Sequence, residues 1–376
     1  MDDRAKMILQ AIVNSYVEIC EPIGSKYLVD KYKLNLSSAT VRNVMSWLEE
    51  EGYLEKPHTS AGRVPSDKGY RAYVNNLSFL PQVSLKKQAE FRDYLDQRID
   101  EASELIIRAA DFLSEQTAFV AIALSPDYGS ASIQQLKLLM IEPGSALVVV
   151  VFLAGIVHDR LIRVPEALDA DQLNRIGNAI ENAVKGKALN DITLVTVTAA
   201  AEDTDIPEAL LRQVVYETYT SIKQMDNLNV YMDGLHRLLG QPEFQDIDRA
   251  QRFFHAINKP KIMAGYMSDM QKEEENKQTE LRQADESDPA FHGEGQGNEA
   301  ISQKKADYML RIGQEIALQG LEDMAFISTV YRFSDKISGQ LAVIGPKRMP
   351  YGEIISQIQF INRTLSEASE ELERDR

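Results

Sequence analysis

A single cysteine, Cys20, is all the thiol chemistry the chain holds. That excludes an intramolecular disulfide framework and any thiolate metal cluster within one copy. Cys20 ends an expected helix between Glu18 and Glu21, acids that raise a thiol pKa, so it reads as structural rather than nucleophilic. Histidine is also scarce: His58, His158, His236, His255 and His292 are scattered, and none has the i, i+4 partner of a zinc-protease helix. No G-x-S-x-G elbow, phosphate-binding GxxxxGK[ST] loop or dinucleotide-binding G-x-G-x-x-G is present. The longest apolar run, Ala146 to Ile156, contains a glycine and is about half a membrane span. The segment MDDRAKMILQ puts acids where a secretory signal needs positive charge and an apolar stretch. These absences disfavour an enzyme, call for no cofactor and no metal site, and predict a cytoplasmic protein with no membrane partner.

Positive charge is in short supply too. Lys plus Arg number 41 against 57 Asp plus Glu, a formal charge of −16 over 376 residues, which is long enough for two or three domains. The distribution changes what this implies. Residues 1–80 hold ten basic and ten acidic side chains, so the whole deficit lies in 81–376. A neutral head can face phosphate while an acidic body faces away.

What is there begins with helices. In residues 3–20, Leu9, Ile12, Val13, Tyr16 and Val17 share one helical face, and Pro22 stops the helix. A second helix is expected with Ser25 as its cap and Leu28, Val29 and Tyr32 inward. Ser37 and Ser38 open a third, which ends at Gly52. The pair makes a helix-turn-helix pattern. On the third helix Val41, Val44, Met45 and Leu48 form the buried stripe. Ser38, Ala39, Arg42, Asn43 and Ser46 lie opposite. Arg and Asn are the types that read guanine and adenine edges bidentately, so Arg42 and Asn43 are the base-contacting candidates, supported by Ser38, Thr40 and Ser46. GYLEKP, HTSAG and RVPS then read as strand, turn and strand, a wing, followed by a fourth helix capped by Ser66. Arg63, His58, Thr59, Ser60, Lys68 and Arg71 are the candidates for the DNA backbone or minor groove.

Beyond Pro81 a long helix is expected over 84–117, with Leu95, Ile99, Ala102, Leu105, Ile106 and Ala109 as its seam. Three strand runs, 134–142, 145–153 and 156–165, form a meander, followed by a helix stopped at Gly186 and a strand or buried segment, ITLVTVTA. A helical block breaks the strand pattern, which resumes at DYMLRIGQE, DMAFISTVYRF and GQLAVIGP before a last helix. The order suggests an α+β domain split by an inserted one. Residues 271–303 are acidic, apolar-poor and low in complexity.

The stretch SSATVRNVMSWLEEEGYLEKPHTSAGRVPSDKGYRAYV resembles the signature of the HrcA family of bacterial heat-inducible transcription repressors. GQLAVIGPKRMPYGEII is similar to that family's closing motif, and VYMDGLHRLLGQPEF to its inserted segment; the family pattern has an acid where this chain has Val44. The resemblance implies an N-terminal winged helix-turn-helix and a GAF-like α+β domain split by an inserted helical dimerising domain. The boundaries are then 1–82 for DNA binding, 83–118 connecting, 119–204 GAF-like first part, 205–260 inserted, 261–303 acidic insertion and 304–376 GAF-like second part. It further implies a homodimer on double-stranded operator DNA, an inverted repeat of CIRCE type ahead of chaperone genes. Activity would be maintained by a GroEL-type chaperonin and lost on heat stress. The alternative is a regulator that answers to a small molecule, with Arg160, Arg163 and Arg311 available to a ligand in the GAF-like domain.

Overall fold

A computed structural model describes residues 1–57, 62–77, 80–95, 102–153, 156–202, 204–224, 229–286, 308–334 and 337–374. It is a mixed α+β structure with antiparallel sheets.

The head begins with α1 (Asp3–Ile19), whose N-cap Asp2 accepts from the Ala5 N–H at 2.7 Å, and α2 (Ser25–Tyr32). The N-cap of α2 is Gly24, not Ser25: the Ser25 hydroxyl turns to Ser38 instead. Helix α3 (Ser38–Glu50) is capped by Ser37. Strands β1 (Leu54–Glu55) and β2 (Val64–Pro65) pair antiparallel, Leu54 opposite Pro65. Helix α4 (Asp67–Asn75) starts at Ser66, whose hydroxyl accepts from Gly69 N–H and donates to Gly52 C=O at 2.7 Å. Ile8, Ile12, Leu28, Val41, Met45, Leu48 and Tyr70 make the head's core. Burying each such side chain is worth about 1.5–3 kcal/mol, which sets the three-helix arrangement.

Helices α5 (Leu85–Leu95) and α6 (Ala102–Thr117) fall within the expected long helix; Ile99 of its seam lies outside the described residues. Leu105, Ile106 and Ala109 are buried in the body. Next come β3 (Val120–Asp127), β4 (Ile133–Glu142), β5 (Ser145–Phe152) and β6 (Val157–Arg163). They are followed by α7 (Ala170–Val184), α8 (Leu194–Glu202) and α9 (Glu208–Gln224). The strand or buried segment expected at ITLVTVTA is helix α8: only Val197 and Ala201 face inward while Val195 is exposed, a helical spacing despite the β-branched residues. Strand β7 (Val230–Asp233), α10 (Leu235–Leu238), α11 (Ile247–Ile257) and α12 (Pro260–Glu286) complete the middle. The chain ends with β8 (Met309–Ile312), β9 (Met324–Ser334), β10 (Ile337–Pro346) and α13 (Tyr351–Arg374).

Five strands form one sheet in the order β7-β3-β10-β9-β8, and β4-β5-β6 form another. The meander is therefore a sheet of its own, not part of the α+β sheet that β3 begins. The chain leaves that sheet after Asp127 and returns at Val230, a longer excursion than the helical block at 205–260. Strand pairing depends on which edges meet in space, and hydropathy does not encode it. On β9, alternate residues point to opposite faces. Thr329 accepts from Asn362 of α13, while the Phe326 ring meets Tyr266 of α12 edge-on at 5.6 Å. The large sheet is thus covered on both faces. The small sheet is covered on one, where Gly177 of α7 lies against Leu138.

The acidic insertion placed at 261–303 begins later than expected. Met263, Met267 and Met270 follow i, i+4, i+7 spacing and are buried, so the first turns of α12 are core. Residues 287–307 lie outside the described residues.

Head and body touch through α4. Tyr351 is fully buried between Tyr70 and Tyr73, at ring distances of 5.9 and 6.4 Å. Burial pushes the Tyr70 and Tyr351 phenols well above the usual tyrosine value. A raised folded-state pKa means the contribution is intact below the unfolded value of about 10 and fades as pH rises from there towards the folded value. Alkaline titration should therefore show the last increment of tyrosinate absorbance at 295 nm, the part that belongs to these buried rings among the chain's 15 tyrosines, appearing together with loss of head–body contact. Ionisation of these rings in a still-folded chain would contradict it.

Candidate nucleic-acid interface

The exposed face of α3 is built by its caps. The Ser37 hydroxyl accepts from Thr40 N–H at 3.1 Å and lies 2.9 Å from the Thr40 hydroxyl, so Thr40 serves the helix start. Ser38 Oγ lies 3.0 Å from Ser25 Oγ. Because Ser25 and Ser38 are the first residues of their helices, the N-termini of α2 and α3 sit side by side. The first-turn N–H groups that these caps leave free make an anion-favouring corner. With Val41, Met45 and Leu48 buried and Val44 half-buried, the outward face presents Ala39, Arg42 and Asn43, with Ser46 half-buried beside them. Neither the Arg42 nor the Asn43 side chain has a hydrogen bond or ion pair among the described residues.

One turn beyond Asn43 stands Trp47, the chain's only tryptophan and 38% exposed. Residue-type reasoning about base edges missed it. Its i+4 spacing from Asn43 was the available signal. A large apolar side chain left in water on a polar face is suited to a partner surface.

The basic candidates behave differently from Arg42. Arg63 pairs with Glu49 at 2.6 Å, with its side chain 17% exposed. Its backbone exchanges two 2.9 Å hydrogen bonds with Ile23, which ties the hairpin to the α1–α2 link. Lys68 donates to Glu51 C=O at 2.6 Å and sits 4.4 Å from the Tyr53 ring centre, closing the C-terminus of α3. Arg71 points away from α3, to Glu315 and Leu310 of the body. His58, Thr59 and Ser60 lie outside the described residues. The structure thus gathers Arg42, Asn43, Ser46 and Trp47 on one face. It assigns Ser38 and Thr40 to helix starts, and Arg63, Lys68 and Arg71 to intramolecular partners.

Cys20 is the left-handed C-cap of α1, and its thiol is pushed up, first by burial and then by Glu243, with Arg348 opposing. Arg160 and Arg163 lie on β6 of the small sheet, and Arg311 on β8 of the large one, paired with Glu273 at 2.8 Å. The three do not converge on one cavity. No helix among the described residues is long and apolar enough to cross a membrane.

The family profile described as "HrcA protein C terminal domain" matches residues 103–355. A heat-inducible transcription repressor HrcA of Ruminiclostridium cellulolyticum is 32% identical, covering 98% of this chain and 97% of its own. Another of the same name, from Moorella thermoacetica, is 31% identical over 100% and 99%. A crystal structure of a hypothetical protein shares the fold over 98% of each chain, with a TM-score of 0.61 at 20% identity.

Proposed function

The chain belongs to the HrcA family of heat-inducible transcription repressors, and from that premise we propose that it represses by gripping operator duplex as a dimer. One observation carries the reading: the unpaired Arg42–Asn43 face of α3, flanked by Trp47 and by two adjacent helix N-termini. Helix α3 enters the major groove, the α2–α3 corner meets phosphate, and the β1–β2 hairpin lies along the backbone as a wing. His58, Thr59 and Ser60, which lie between β1 and β2 in the sequence, are assigned to that contact. Arg42→Ala is expected to cost about 1–3 kcal/mol on the cognate site and to relax base preference there. Anisotropy titrations against cognate and scrambled duplex measure this, and an equal loss on both would remove Arg42 from base reading.

The body is read as a GAF-like domain made of the five-stranded sheet with α6, α12 and α13. The excursion between β3 and β7 is read as the inserted, dimerising unit. Its small sheet supports this. Leu139, Ile141, Leu153, Val157 and Leu161 are exposed on the face that α7 does not cover. An apolar sheet face of this kind suits a self-complementary twofold contact. A symmetric dimer then calls for an inverted-repeat operator, of CIRCE type, ahead of chaperone genes. A marginally stable body makes the folded fraction sensitive to heat, since about 1.4 kcal/mol changes it tenfold. A GroEL-type chaperonin that refolds the chain would sustain repression until heat draws it to other clients. Footprinting pure protein on a chaperonin-operon promoter, with and without added chaperonin, tests the whole. A protected palindrome whose occupancy rises with chaperonin is expected, and no preference over random duplex would refute it.

A further inference from the structure

The head is latched to the body by directional polar contacts. Asp67 and Arg71 lie one turn apart on α4 and face the turn at Gly313–Glu315. Asp67 Oδ2 accepts from Gln314 N–H at 3.0 Å, and Oδ1 from Lys347 Nζ at 2.7 Å. Arg71 returns the contact, donating to Leu310 C=O at 2.9 Å and to Glu315 Oε1 at 3.0 Å. Glu315 in turn accepts from Ile312 N–H at 2.9 Å. Gly313 has φ +57°, and a side chain there would collide with the Asp67 carboxylate. On the far side Arg348, 9% exposed, donates to Gln241 Oε1 and Glu243 Oε2, each at 2.9 Å. So the segments PSDKGYRAYV, GQPEF and GPKRMPY, distant in sequence, meet at one junction.

The latch reaches the DNA-facing helix through few bonds. Ser66, next to Asp67, donates its hydroxyl to Gly52 C=O at 2.7 Å and its N–H to Tyr53 C=O at 3.1 Å, both just past the end of α3. A purely apolar seam could slide. Charge-assisted bonds of fixed direction hold an angle. In a dimer, that angle decides how far apart the two α3 helices stand and how they face the groove. Adding one base pair between half-sites rotates the second site by about 35°, since a turn holds about 10 base pairs.

We propose that the Asp67–Lys347 and Arg71–Glu315 latch, by locking α4 to the body, makes the dimer selective for one half-site separation. This rests on the operator-binding reading above. The test uses the full chain with Lys347→Gln and, separately, Glu315→Gln, neither of which lies on the DNA face. Each is titrated against a single half-site and against inverted repeats whose separation is varied one base pair at a time. The unaltered protein should favour one separation by about tenfold, the size of a typical interface coupling. Both variants should flatten that preference to within about twofold while binding the single half-site nearly as well, and Lys347→Arg should restore it. Variants that keep the original separation profile, at any overall affinity, overturn the proposal. Circular dichroism gates each variant; if Lys347→Gln does not fold, Glu315→Gln decides. Unaltered protein that binds inverted repeats without any preferred separation sinks the latch alone, whereas no binding to duplex sinks the operator reading with it.

Discussion

Tyr351→Ala should lower global stability by about 3–5 kcal/mol, the usual cost of emptying a large aromatic site in a packed core. Tyr351 is fully buried, its ring tilted at 48° to Tyr70 and 57° to Tyr73, and its hydroxyl donates to Lys347 C=O at 2.6 Å. The loss should be unevenly distributed. Removing the ring strips cover from Tyr70, so urea unfolding should split into two steps, with the head melting first. Tyr351→Phe keeps the ring and loses only the hydrogen bond, and should cost about 1 kcal/mol with a single transition. A cost below about 1 kcal/mol for the alanine variant would mean that head and body fold without reference to each other.

The second large effect is on assembly. Leu161→Asp places a charge on the edge strand of the small sheet's open face, opposite Leu147 of the central strand β5. Leu161 is 63% exposed within one chain, so the isolated protomer should keep its stability within about 0.5 kcal/mol. A self-associating face would instead have to bury that carboxylate, at a cost it does not recover. Sedimentation should therefore show a folded protomer. Binding to an inverted repeat should fall by about 10²–10⁴-fold, because the second half-site is no longer held at high effective concentration. Binding to one half-site should hardly change. A variant that still sediments as the parent does would move the dimer contact elsewhere, with the helical block at 205–260 the next surface to test.

The head was legible because its signals are local. Ser37 and Ser66 cap the helices expected of them, Val41, Met45 and Leu48 are buried as their spacing demanded, and β1 pairs with β2 where the turn residues placed a hairpin. The limits of the candidate site were also physical. Residue type marked Arg63, Lys68 and Arg71 as cations available to phosphate, but availability depends on neighbours brought in by folding. Glu49 is 14 residues from Arg63, and Glu315 is 244 residues from Arg71. Body topology was less legible still. β3, buried along nearly its whole length, was not expected as a strand, and it joins a different sheet from β4, the next strand in the chain. Segment α8 is rich in Val and Thr and nonetheless helical, because packing against α7 and α9 overrides a weak intrinsic preference. The Met263–Met267–Met270 row was hidden by the acidic composition that follows it.

The tethering of Arg63, Lys68 and Arg71 also bears on ionic strength. An arginine that leaves its own carboxylate for a phosphate frees that carboxylate to recruit a cation, which offsets the cations the phosphate releases. Lys68, held by a carbonyl and a ring, has no charge partner to lose. Of the four described basic candidates, Arg42 alone has no hydrogen-bond or ion-pair partner among the described residues to give up. Each phosphate newly neutralised contributes about −0.9 to the slope of log affinity against log salt. The head should accordingly hold its site through swings in salt that would dislodge a binder relying on loose lysines, with hydrogen-bond donors at the α2–α3 corner making up the grip.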